Sequence, residues 1–124
     1  MKKSGLKSTL YSFRYAISGL MALLKNEYNS RIHLIAAALA AVMGIFLHIG
    51  ITEWVLLFIV IGMVFISELI NSALEMLADL IDPETNPKIK LIKDYGAGGV
   101  LLSAITAALA GALIFIPKII AAFR

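Results

Sequence analysis

Glu68, Asn71, Ser72, Glu75, Asp79 and Asp82 follow directly on WVLLFIVIGMVFI, a charge-free stretch at residues 54–66. A carboxylate at membrane depth costs roughly 3 kcal/mol on insertion scales, so acids placed there demand a function. On a helix turning about 100° per residue, all six polar positions fall within an arc of roughly 100°. They form one stripe, and Glu68 to Glu75 covers about 10 Å along the axis. Carboxylates and an amide oxygen in one line suit a hard cation such as Mg²⁺, which keeps several waters and is often shared with substrate phosphates. Three chemistries fit the spacing: catalysis on a metal-bridged anionic substrate, a proton or cation relay in a small transporter, and a hydrogen-bonded seam between helices.

The elements that must carry this stripe are those of a membrane protein. The chain has 124 residues, one domain by length, and is 60% hydrophobic, against about 45–50% for soluble domains. Mean hydropathy is +0.92. The absence of cysteine excludes disulfides and thiolate metal sites. A net charge of +3 is modest, and no nucleic-acid partner is expected. The basic N-terminus has spaced rather than continuous apolar residues, which argues against a secretory signal.

Residues 4–25 predict an amphipathic surface helix. Leu6, Leu10, Phe13, Ile17, Leu20 and Leu24 recur at three- and four-residue steps, with Lys and Arg on other faces. Candidate spans cover 33–50, 53–81 and 96–116. Pro83 and Pro87 are expected to end the second helix and open a loop, DPETNPKIKLIKD. Nine Lys and Arg residues lie before the first span or between the second and third, against two elsewhere. The positive-inside rule then puts the N-terminus and the 82–93 loop in the cytoplasm and the C-terminus outside. Trp54 reads as an interfacial anchor. Gly99, Ser103, Ala107 and Gly111 form a small-residue ridge that allows close helix approach. It suits either packing within the chain or a homo-oligomer, and an oligomer is expected because three short helices enclose little.

With that topology, one cytoplasmic layer collects Glu27, Glu75, Asp79, Lys93 and Asp94, and Glu68 lies deeper. His33 and His48 are isolated and read as interfacial packing. Glu53 reads as a helix-start or headgroup contact, and the methionines as packing. Gly96, Gly98 and Gly99 allow close backbone approach rather than forming a phosphate loop, since no GxxxxGK[ST] is present.

Glu68-Leu-Ile-Asn71-Ser72-Ala-Leu-Glu75-x-x-x-Asp79 resembles the signature E-x-x-N-[TS]-A-[IL]-E-x-x-x-D of the small bacterial diacylglycerol kinase / undecaprenol kinase family. The resemblance extends to Asn26-Glu27 and Lys93-Asp94, and to the order of surface helix and spans, so it covers nearly the whole chain. It implies an all-α, homotrimeric protein of the bacterial plasma membrane, surrounded by membrane lipids. It implies phosphorylation of a lipid alcohol with Mg²⁺ and ATP. By position, it makes Glu68 the general base and gives Mg²⁺ to Glu27 and Glu75. Lys93 and Asp94 would contact the nucleotide, with Glu84, Asn86 and Tyr15 as further ATP contacts. Asn71 and Asp79 would hold the site together. Two stretches, Ile51–Trp54 and Leu113–Lys118, together with His33 where diacylglycerol-specific members tend to carry an acid, resemble the undecaprenol branch. Diacylglycerol is the alternative substrate.

Overall fold

The computed structural model describes residues 5–82 and 86–124. Its secondary structure there is helical: α1 (Leu6–Asn26), α2 (Tyr28–Phe46), α3 (Ile51–Ile81) and α4 (Pro87–Ala122). The last three are long and apolar enough to cross a membrane, for which about 20 residues are needed.

α1 and α2 are separated by a single residue. Glu27 takes an extended conformation, φ −105° and ψ 115°, ending α1 and starting α2. The first span therefore begins five residues before His33, where hydropathy alone placed its start. It also ends earlier, at Phe46. There the N–H of Ile49 donates to the carbonyl of Gly44 and that of His48 to Ile45, the paired bonds of a Schellman cap. The cap needs a left-handed residue, and His48 supplies it with φ 51°. A side chain in this region costs roughly 1–2 kcal/mol. His48→Gly is therefore expected to raise the unfolding midpoint in detergent, with a gain of about 1 kcal/mol; a lower midpoint would show that the His48 ring contributes more than the strain removes.

Glu53 starts α3 as expected. Its Oε2 accepts from the N–H of Gly50 at 2.8 Å and lies 3.5 Å from Lys118 Nζ. Trp54, expected as an interfacial anchor, packs within the chain. Its ring stacks on Phe58, with centroids 5.7 Å apart, and a Cβ on Gly44 would meet it at 2.8 Å. The glycine thus lets α2 close onto the first turn of α3.

The third span departs most from its expected bounds. Pro87 does not open a loop but occupies the first position of α4. Asn86 caps it, accepting from the N–H of Lys88 at 2.9 Å. Proline suits that position because its missing N–H would have no helical partner there. Nor does the helix stop at Ile116: it runs through Pro117 to Ala122. Proline inside a helix removes a backbone donor, which membrane helices tolerate when neighbours satisfy the freed carbonyl.

α3 and α4 form the best-packed pair, and α2 lies more lightly against them. The pair is antiparallel, with Glu53–Lys118 at one end and Asp79–Lys93 at the other. The buried apolar cluster of Ile49, Leu57, Ile114 and Phe115 sits toward the Glu53 end. Outward faces stay apolar, as with Phe58, Leu102 and Leu113, a surface that lipid or another helix covers better than water. Gly99 and Gly111 have no atom within 4 Å of an added Cβ, so the small-residue ridge is not tightly packed at those positions within the chain.

Candidate active site

The stripe on α3 holds its register but its members face different neighbours. Glu68 points at α2 and is 3% exposed. Its Oε1 lies 3.2 Å from Nε2 of His33. The contact is electrostatic rather than a well-aligned hydrogen bond, since Glu68 Oε1 is buried with no hydrogen-bond donor. Asn71, one turn on, points at α4. A Cβ on Gly96 would sit 2.3 Å from its Oδ1, so this glycine is what admits the amide. Asn71 Nδ2 reaches Glu75 Oε1 at 3.5 Å, and its Oδ1 is buried without a partner. Asp79 forms an ion pair with Lys93 of α4. Ser72 lines a crevice with Gly19, Asn26 and Glu27 under the C-terminal half of α1.

Of the two acids expected to hold metal, one sits at a helix junction and the other within α3. Glu27 occupies the α1–α2 junction and spends no side-chain hydrogen bond on capping α2. Glu75 is half-buried on α3. Both lie within electrostatic range of Glu68. Among the described residues no three His, Asp or Glu side chains converge on a ready-made metal cage. That donor set fits Mg²⁺, which binds through one or two carboxylates and takes its other ligands from water and phosphates. It would not suit an ion that needs a full protein shell.

Other predicted contacts are placed as follows. Asp94 pairs with Lys90 at 2.6 Å on the exposed first turns of α4, and Lys93 is committed to Asp79. The Asn86 side chain caps α4. Tyr15 stands 73% exposed on α1. Glu84 lies outside the described residues.

The expectation that His33 is an isolated packing residue is corrected by its contact with Glu68. Ser30, which hydropathy gave no reason to notice, is fully buried with an unpartnered hydroxyl. A signal for both was present: Glu27, Ser30 and His33 recur every three residues, on one side of the segment that precedes the alanine-rich part of α2.

Gly96→Ala is expected to push Asn71 out of its place. Overpacking of this kind costs about 1–3 kcal/mol, read as a lower unfolding midpoint, with loss of activity as Asn71 leaves Glu75. An unchanged midpoint and activity would show that Asn71 moves at no cost.

Comparison with known proteins finds relatives along most of the chain. Residues 14–115 match the model of the prokaryotic diacylglycerol kinase family. An undecaprenol kinase of Bacillus subtilis is 36% identical over 108 residues, covering 87% of this chain and 88% of the relative. A diacylglycerol kinase of Synechocystis is 33% identical over 112 residues, 90% of this chain and 64% of the relative. The diacylglycerol kinase of Escherichia coli is 32% identical over 104 residues, 84% and 85%. With α2, α3 and α4 apolar enough to cross a membrane, the chain belongs to the prokaryotic diacylglycerol kinase family and is a bacterial membrane lipid kinase.

Proposed function

We propose that this protein transfers the γ-phosphoryl group of ATP to the hydroxyl of undecaprenol. The observation that carries a lipid-alcohol acceptor is the placing of Glu68. It is a buried carboxylate with an unpartnered oxygen, deeper along α3 than Asn71, Glu75 and Asp79. In this reading Glu68 takes the proton of the lipid hydroxyl as its oxygen attacks the γ-phosphorus and ADP leaves. Glu27 and Glu75 would hold Mg²⁺, which when bound neutralises charge on the phosphates. Asn71 holds Glu75 in place. Lys93 and Asp94 stand at the nucleotide side, with Tyr15, Glu84 and Asn86 as outer contacts. The ion pair of Lys93 with Asp79 keeps the ammonium at that level until phosphate competes for it.

The choice of undecaprenol over diacylglycerol rests on the Bacillus subtilis relative and on the stretches Ile51–Trp54 and Leu113–Lys118. In the proposed setting α1 lies on the cytoplasmic surface of the plasma membrane, the N-terminus is inside and the C-terminus outside. Three copies associate, and the apolar outward faces and open Gly99 and Gly111 of α4 are in keeping with that. The deciding experiment supplies labelled Mg-ATP with undecaprenol or diacylglycerol, in parallel, to the purified protein in mixed micelles. Faster labelling of undecaprenol is the expected result. Faster labelling of diacylglycerol would reassign the substrate. No label in either lipid would return the stripe to a cation relay.

A further inference from the structure

We propose that His33 is a positioning residue for phosphoryl transfer: it holds the Glu68 carboxylate at the junction between a polar ladder and an apolar cavity, where the acceptor hydroxyl must stop. The proposal deepens the reading of Glu68 as base and rests on it.

Glu27, Ser30 and His33 rise in three-residue steps through the first turns of α2. On α3, Glu75, Asn71 and Glu68 descend in steps of four and three. The helices run in opposite directions, joined by the short turn after Phe46, and the His33–Glu68 contact fixes their relative level. Three residues from that contact toward Glu27, about 4.5 Å along each axis, stand Ser30 and Asn71. Both carry buried polar atoms without hydrogen-bond partners, Ser30 Oγ and Asn71 Oδ1, and Glu68 Oε1 beside His33 lacks an aligned donor. A second step brings Glu27 and Glu75. Buried polar groups are normally satisfied, so Ser30 Oγ and Glu68 Oε1, one turn apart where α2 meets α3, mark a place for a polar ligand group, whereas Asn71 Oδ1 faces α4 at Gly96.

On the other side of His33 the chemistry changes at once. A cavity of about 420 Å³ lies between α2, α3 and α4. Its lining is apolar apart from His33, with Ala36, Ala37, Ala40, Val64 and Ala107 among the walls. The acceptor is an amphiphile with one hydroxyl. Its tail has an apolar wall and its hydroxyl has the unsatisfied polar atoms, and the boundary between them is the His33–Glu68 contact. The imidazole is 23% exposed and the carboxylate 4%. His33 therefore closes one side of Glu68 and fixes the level of its carboxylate on α3.

The test uses the full chain in mixed micelles, with rates measured against Mg-ATP and against the better of the two lipids. His33→Leu is expected to lower kcat at least about tenfold through misplacement of the base, with KM for Mg-ATP unchanged. His33→Gln, which restores a donor at similar reach, should recover most of that loss. In a Glu68→Gln background, His33→Leu should have no further effect on the residual rate, because a positioning residue acts only through the group it positions. Failure of Gln to rescue, equal loss in both backgrounds, or a kcat within about twofold of the parent would overturn the role of His33. A parent protein that labels no lipid alcohol, or that keeps its rate on Glu68→Gln, would instead overturn the reading beneath it.

Discussion

Glu68→Gln is expected to leave a folded protein that binds Mg-ATP with near-normal KM and turns over about 10²–10⁴-fold more slowly. Gln matches the shape of Glu and keeps a polar group opposite His33 Nε2, so the packing of α2 on α3 at this level survives the change. What it lacks is a carboxylate to receive the hydroxyl proton. A loss confined to kcat is the signature of an interaction made in the transition state rather than in substrate binding. Initial rates over a range of Mg-ATP and lipid concentrations separate the two. Near-normal turnover would show that another group takes the proton and that the burial of Glu68 serves structure.

The second large effect is expected at Glu75. Glu75→Gln removes one of two carboxylates proposed for the metal and leaves Asn71 facing a neutral amide in place of its acceptor. Turnover should fall steeply, as with Glu68→Gln, but here nucleotide binding weakens as well. The tenfold or greater rise expected in KM for Mg-ATP corresponds to about 1.4 kcal/mol or more of lost binding. Excess Mg²⁺ should recover part of the rate in this variant and none in Glu68→Gln. If Glu75→Gln and Glu68→Gln gave the same kinetic pattern, the two acids would share one role and the division between metal site and base would fail. A cation relay predicts yet another pattern: Glu68 would matter, Glu27, Lys93 and Asp94 would be dispensable, and no ATP would be consumed.

The difference between these two acids arises from their surroundings. Both lie on one face of α3, seven residues apart. Glu68 is enclosed against His33, whereas Glu75 is half-buried near the end where α1 gives way to α2 at Glu27. In the proposed mechanism the same carboxylate chemistry would serve a lipid hydroxyl at one level and a solvated phosphate–metal group at the other.

Much of this was determined by the sequence alone. Hydropathy over 33–50, 53–81 and 96–116 located three membrane-length helices, because an apolar run of that length has no stable place in water. The period of 3.6 put Glu68, Asn71, Glu75 and Asp79 on one stripe before any neighbour was known. The signature through those positions identified the family. Helix ends were less legible, because local geometry rather than hydropathy sets them. The Schellman cap at His48 stopped α2, and Asn86 with Pro87 started α4 where a loop up to Asp94 was expected.

Tertiary structure alone decided which partners the stripe would meet. Nothing in the spacing of residues 67–82 distinguishes the side that meets α2 from the side that meets α4. Packing split it, giving Glu68 to His33, Asn71 to the gap left by Gly96, and Asp79 to Lys93. His33 shows why. Its three-residue spacing from Ser30 and Glu27 places it on a polar side of α2 but does not say which residue it meets. Two antiparallel helices bring it within 3.2 Å of a carboxylate 35 residues away in the chain, and that pairing belongs to the fold, not to any local run of sequence.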